Sequence, residues 1–174
     1  MLEDAMYKLN DRFNFMMGVN EKDRKQAEEI VEFTSKLIEM SVRERLFRNS
    51  MPKQGEIWTV AFGANAGSEI NRTRPALVIQ NDKYTEDVST VVVIPITRTA
   101  ARNDCLIEFT EKDVIRAEAY NDAPHGTLLL DQIRGISKAR LGQKVAVLNP
   151  NKLEEVRSVF FNHMFSEQSS KELV

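Results

Sequence analysis

The residues of this chain best suited to chemistry gather in Gly67-Ser68-Glu69-Ile70-Asn71-Arg72-Thr73-Arg74-Pro75, a polar run that leads directly into the apolar stretch Ala76-Leu77-Val78-Ile79. A guanidinium stays charged and offers a donor fork that fits two oxygens of a phosphate or a carboxylate. Pro75 fixes the backbone just after Arg74. On spacing alone, Arg74 is first a surface strand arginine paired with Glu69. Glu69 reads evenly as a proton acceptor or as a structural partner of Arg72 or Arg74. Thr97 ends the apolar stretch Val93-Ile94-Pro95-Ile96 and reads as a strand-end hydroxyl or a functional one. In Leu130-Asp131-Gln132-Ile133-Arg134, the two-residue period of a strand places Gln132 and Arg134 on one face, away from Asp131.

Other chemistries lack their signatures. There is no glycine-rich phosphate loop, no dinucleotide fingerprint, no nucleophile elbow, and no His or Cys cluster at metal-ligand spacing. Neither a cofactor nor a metal is indicated. Of the two histidines, His163 falls beside Phe160 and Phe161 on an expected helix and reads as packing or surface. The single Cys105 forms no internal disulfide and reads as a core residue of a strand.

The elements that must position these residues fall into two segments. From Glu21 to Phe47, apolar Ala27, Ile30, Val31, Phe33, Leu37, Ile38, Val42 and Leu46 recur at steps of three and four, the pattern of an amphipathic helix. Asn20 suits its cap, and Arg43, Arg45 and Arg48 suit its last turn. Residues 2–17 form a shorter helix ending at Gly18. After Pro52 the period becomes two, with strands expected over Glu56–Phe62, Ala76–Gln80, Thr90–Ile96, Cys105–Phe109, Thr127–Ile133 and Lys144–Leu148. A closing helix follows over Pro150–Phe165, capped by Asn149, with Leu153, Val156, Phe160 and Met164 on one face. The expected fold is α+β: a small, strongly bent antiparallel sheet or SH3-like barrel with a C-terminal helix, behind a helical extension. The expected division is 1–50 for the extension and 51–174 for the domain.

With 42% hydrophobic and 29% charged residues the chain has the composition of a packed globular protein. Its net charge of -2 is spread over both segments, so nucleic acid would be held by a local groove rather than by a protein-wide cationic field. The N-terminus lacks the pattern of a signal peptide and no apolar run approaches the ~18 residues of a membrane span. The chain therefore reads as cytoplasmic, with no membrane partner.

Four blocks acquire a specific meaning together. Gly55-Glu56-Ile57-Trp58, the Gly67-Ser68-Glu69 loop followed by Arg74-Pro75 and a strand, Val93-Ile94-Pro95-Ile96-Thr97, and Leu130-Asp131-Gln132-Ile133-Arg134 resemble, in order, the recurrent blocks of the MazF/PemK-like toxins. The resemblance spans residues 51–165. It departs from the pattern at Gly135 and Ser137, which flank Ile136 where the family usually has Thr or Ser, then Ile, then often Asp. An acid role at position 137 is therefore not implied.

The resemblance implies a sequence-selective, metal-independent endoribonuclease that cuts single-stranded RNA, acts as a homodimer and is held in check by an antitoxin. It implies Arg74, Thr97 and Glu69 as catalytic, with Arg74 and Thr97 on the phosphate and Glu69 as base or as orienter of the 2'-hydroxyl. Ser68, Arg72, Thr73, Gln132 and Arg134 would line the RNA groove. Trp58 would pack in the core or a dimer interface, or stack on a base. The rival reading is a non-catalytic module of the same fold: a CcdB-like gyrase poison, or an RNA-binding regulator. The chain ends Lys171-Glu172-Leu173-Val174 without the Trp-Gly-Ile end of the CcdB type. Residues 1–50 lie outside the resemblance, and their apolar stripe has three destinations: the chain's own domain, a second protomer, or the RNA groove.

Overall fold

The computed structural model describes residues 2–18, 20–47, 51–65, 67–98, 106–117 and 124–165. Cys105, most of the 98–104 loop, and the start of the 121–126 loop lie outside them.

Two helices lead, α1 (Leu2–Met17) and α2 (Glu21–Phe47), and they pack on each other. Asn20 caps α2 as expected, its side-chain oxygen accepting from the Asp23 amide at 2.9 Å, which satisfies one orphan donor of the first turn. Exposed pairs one turn apart, Arg24 with Glu28 and Lys36 with Glu32, run along α2. The apolar stripe is only partly covered. Ala27 is buried and Phe33, Leu37 and Met40 are half-buried, whereas Ile30, Val31, Ile38 and Val42 face solvent. The line Phe33-Leu37-Met40 is the one that reaches the sheet domain.

The domain consists of β1 (Glu56–Gly63), β2 (Arg72–Val78), β3 (Thr90–Thr97), β4 (Leu106–Phe109), β5 (Val114–Arg116), β6 (Gly126–Leu129), β7 (Arg134–Ser137), β8 (Leu141–Leu148) and α3 (Pro150–Phe165). All pairings are antiparallel. The order is β4-β6-β3-β2-β1-β8-β5, with β7 also beside β3. The sheet stays open and does not close into a barrel. Alternation along the strands sends side chains to two cores. Leu77 joins Ile57, Ile94, Leu128 and Val145 under α3, which contributes Val156, Leu153 and Phe160. Ala76 and Val78 join Val60, Phe62, Val91, Val93 and Ile136 on the opposite face. Asn149 caps α3, accepting from the Lys152 amide at 2.9 Å. Met164, expected on the packed face, is 42% exposed.

The structure departs from the sequence reading in three places, and the first and last of them position the site. Strand β2 starts at Arg72 rather than Ala76, because β1 extends to Gly63 and pairs with Arg72 across a bulge. Both residues of that pair have positive φ, Gly63 at 97° and Arg72 at 66°. Strand β5, only three residues long, carries too little periodicity to be read from sequence; it pairs with β8 at the sheet edge.

The expected strand Thr127–Ile133 breaks at a 3-10 turn, Leu130–Gln132. Ile96 faces Leu128 while Val93 faces Arg134. Three residues back along β3 thus span six on its neighbour, and the turn absorbs the surplus. Buried Leu130 anchors it. Gln132 and Arg134 therefore do not share a strand face; Gln132 belongs to the turn and Arg134 opens β7.

Candidate active site

Strands β2 and β3 pair Ala76 with Pro95. Continuing that register by two residues sets Arg74 opposite Thr97, at the strand ends where the sheet opens to solvent. Both line a cavity of about 460 Å³ whose other walls include Ser68, Glu69, Asp131 and Gln132. The close approach of β6 to Thr97 requires a glycine. A Cβ on Gly126 would lie 2.5 Å from the Thr97 carbonyl oxygen, and its φ of 147° strains any other residue.

The loop over the cavity is tied down by side chains bonding backbone. Asn65 donates from its amide to the Ile70 carbonyl at 2.8 Å, and its backbone N–H donates to the Asn71 side chain at 2.5 Å. Gln132 holds the residues on either side of Glu69: its oxygen accepts from the Ile70 N–H at 2.6 Å, and its nitrogen donates to the Ser68 carbonyl at 3.2 Å. Arg74 Nε donates weakly to the Asn71 carbonyl at 3.4 Å.

Neither arginine of the loop run is the partner of Glu69. Its ion pair is with Arg134, at 3.5 Å, and the Arg134 guanidinium also lies over the Phe62 ring at 5.6 Å. Arg140 sits nearby and donates to the Phe62 carbonyl at 3.1 Å. Burial, with the neighbouring Arg134 charge adding to it, pulls the Arg140 pKa below the ordinary guanidinium value. Arg72 turns the other way and pairs with Glu29 of α2 at 2.5 Å. With Thr73 it lines a smaller cavity of about 250 Å³ against α2, beside Phe33 and Gly63.

Of the expected residues, the structure gathers Arg74, Thr97, Glu69, Ser68 and Gln132 around one cavity. Arg134 reaches it through Glu69, while Arg72 and Thr73 lie on the α2 side. Asp131 was missed. Uninterrupted alternation placed it on the face opposite Gln132, whereas the 3-10 turn brings both to the cavity. Trp58 is half-buried against the second core, and its indole N–H donates to Glu56 at 2.9 Å. His125 stands by a different cavity, 3.9 Å from Glu111, and His163 is exposed on α3. Among the described residues no group of three His, Cys, Asp or Glu is placed to hold a metal ion, and no helix is long and apolar enough to cross a membrane.

An arginine, a threonine and a loop carboxylate stand around one notch of an open α+β sheet, and known proteins give that fold its family. Residues 53–162 match the PemK-like, MazF-like toxin of type II toxin-antitoxin systems. The endoribonuclease MazF of Staphylococcus saprophyticus is 30% identical over 110 residues, which cover 62% of this chain and 87% of that protein. The MazF crystal structure from Deinococcus radiodurans shares the fold at a TM-score of 0.52 and 23% identity, over 66% of this chain and 97% of that one. A MazE-MazF structure from the same organism gives 0.52 and 21%, over 66% and 96%. The chain belongs to the PemK-like, MazF-like toxin family of type II toxin-antitoxin systems.

Proposed function

We propose that the chain is an endoribonuclease that cuts single-stranded RNA without a metal, the catalysis residing in residues 51–174 and residues 1–50 being a helical extension. The observation that carries this is the placement of Arg74 across from Thr97 in one cavity with Glu69 on the loop above. A phosphate in that cavity meets a permanent cation and a neutral hydroxyl from opposite strands, the donors needed where negative charge grows on phosphorus oxygens.

The ribose 2'-oxygen attacks phosphorus, its proton passes to Glu69 acting as base, and the bond from phosphorus to the 5'-oxygen breaks. The products are a 2',3'-cyclic phosphate and, once the leaving oxygen is protonated, a 5'-hydroxyl. Deoxyribose lacks the nucleophile and is not cut. Ser68 and Arg134 border the scissile phosphate, and Arg72 and Thr73 extend the contact along the strand toward α2. Restraint by an antitoxin fits this reading, because two similar structures are complexes, one a MazE-MazF assembly and one an endoribonuclease with its cognate antitoxin; the acting unit is a homodimer.

The test is incubation of a long unstructured RNA with the protein in EDTA. Discrete cuts with cyclic phosphate ends, lost in Arg74→Ala, support the reading. Folded protein that leaves the RNA intact overturns it and brings the gyrase-poison or RNA-binding alternative forward.

A further inference from the structure

We infer that Gln132 is a positioning residue that sets the place of Glu69, rather than a reader of RNA; this rests on the ribonuclease reading above. Its carboxamide spans the loop like a bracket, taking the N–H of Ile70 at 2.6 Å and giving to the carbonyl of Ser68 at 3.2 Å. These are the backbone groups immediately after and before Glu69. Only an amide side chain offers an acceptor and a donor side by side to satisfy one N–H and one C=O together, and asparagine is a methylene shorter. The bracket is rigid at its root, because the three-residue surplus against β3 is anchored by fully buried Leu130.

Glu69 is exposed and its ion pair with Arg134, the one it makes among the described residues, is long at 3.5 Å. A contact of that kind holds a carboxylate loosely. The backbone bonds on either side therefore do most to fix where the carboxylate stands relative to Arg74 and Thr97. Displacement of a reacting group by about 1 Å costs on the order of 100-fold in rate, so a loosened loop lowers turnover far more than it lowers RNA affinity.

The test compares the full chain with Gln132→Ala, Gln132→Glu, Glu69→Ala and the double variant Gln132→Ala/Glu69→Ala. Amide hydrogen exchange at Ile70 is expected to speed up at least about tenfold in Gln132→Ala and to stay slow in Gln132→Glu, which keeps the acceptor. In RNA cleavage, kcat is expected to fall about 10- to 100-fold in Gln132→Ala with KM within about twofold. In the Glu69→Ala background the same change is expected to cost less than about twofold, because the group it positions is gone. A raised KM with unchanged kcat, or a full independent loss in the double variant, overturns the proposal in favour of direct RNA contact. So does full activity in Glu69→Ala. If the wild type cuts no RNA, the ribonuclease reading is what fails; unchanged Ile70 exchange separately disposes of the bracket.

Discussion

Glu29, about a third of the way along α2, holds the guanidinium of Arg72 at 2.5 Å and so spans the boundary between the helical extension and the strand that carries Arg74. Two residues along the same strand, Arg74 is exposed and lines the larger cavity. One arginine is engaged by the chain's own carboxylate, and the other is presented to solvent.

If Arg72 contacts RNA, Glu29 competes with a phosphate for it. Arg72 is exposed and Glu29 half-buried, and pairs open to solvent contribute about 1 kcal/mol or less. Glu29→Ala is therefore expected to tighten binding of an RNA carrying 2'-deoxy sugar at the cleavage position by no more than about fivefold. The slope of log K against log salt should steepen by about 0.7, one extra single-strand phosphate contact. Titrations at several salt concentrations read both; an unchanged slope means that Arg72 takes no phosphate.

Arg74→Ala is expected to lower cleavage about 100- to 1,000-fold, as loss of one charge-stabilising donor does, with the thermal unfolding curve nearly unmoved because the side chain is exposed. Thr97→Val keeps shape but not the donor and is expected to cost about 100-fold. Single-turnover rates measured alongside circular dichroism separate this from misfolding. A Thr97→Val protein that cuts at the wild-type rate removes Thr97 from the mechanism.

Gly126→Ala drives a methyl group against the Thr97 carbonyl, 2.5 Å from the ideal Cβ position, at a φ of 147°. The expected loss is about 1–3 kcal/mol of stability, with activity reduced further because β6 is pushed away from Thr97. Urea unfolding measures the first and RNA cleavage at low temperature the second.

Lys138 is buried, its ammonium donating to the Thr85 carbonyl at 2.6 Å. Burial pulls its pKa below 10.5, opposed by the charge of Asp87. With the folded pKa below the unfolded one, the unfolded chain binds more protons between the two values, and stability rises with pH across that window. Below the folded pKa the cost of burying the charge is fully present. Lys138→Met should lack this rise, so urea midpoints followed up to pH 10.5 should climb in the wild type relative to the variant; parallel curves would count against it.

The family blocks and most elements were legible because they rest on short-range signals. Alternation marked β1 and a continuous apolar run marked β3, Asn20 and Asn149 announced their helices, and the Arg74-Pro75 run marked the entry to a strand. What was not legible depends on pairing partners far along the chain. The 3-10 turn at Leu130–Gln132 exists because β6 and β7 both pair with β3 out of step, and nothing local to Leu130-Asp131-Gln132 reveals that. The same turn moved Asp131 into the cavity and converted Gln132 from a strand residue into a bracket. The partner of Glu69 was misread for a related reason: Arg72 and Arg74 are near in sequence, whereas Arg134 is near in space.

The bracket also imposes a schedule. Gln132 reaches backbone groups 62 and 64 positions earlier in the chain, and closing so long a span comes late, after local hairpins have formed. During synthesis, Arg74 and Thr97 emerge and pair while the loop that carries Glu69 still lacks its hold. A translating ribosome thus carries a chain whose cavity is unfinished until Gln132 has been made, and a chain cut short before that residue never completes it.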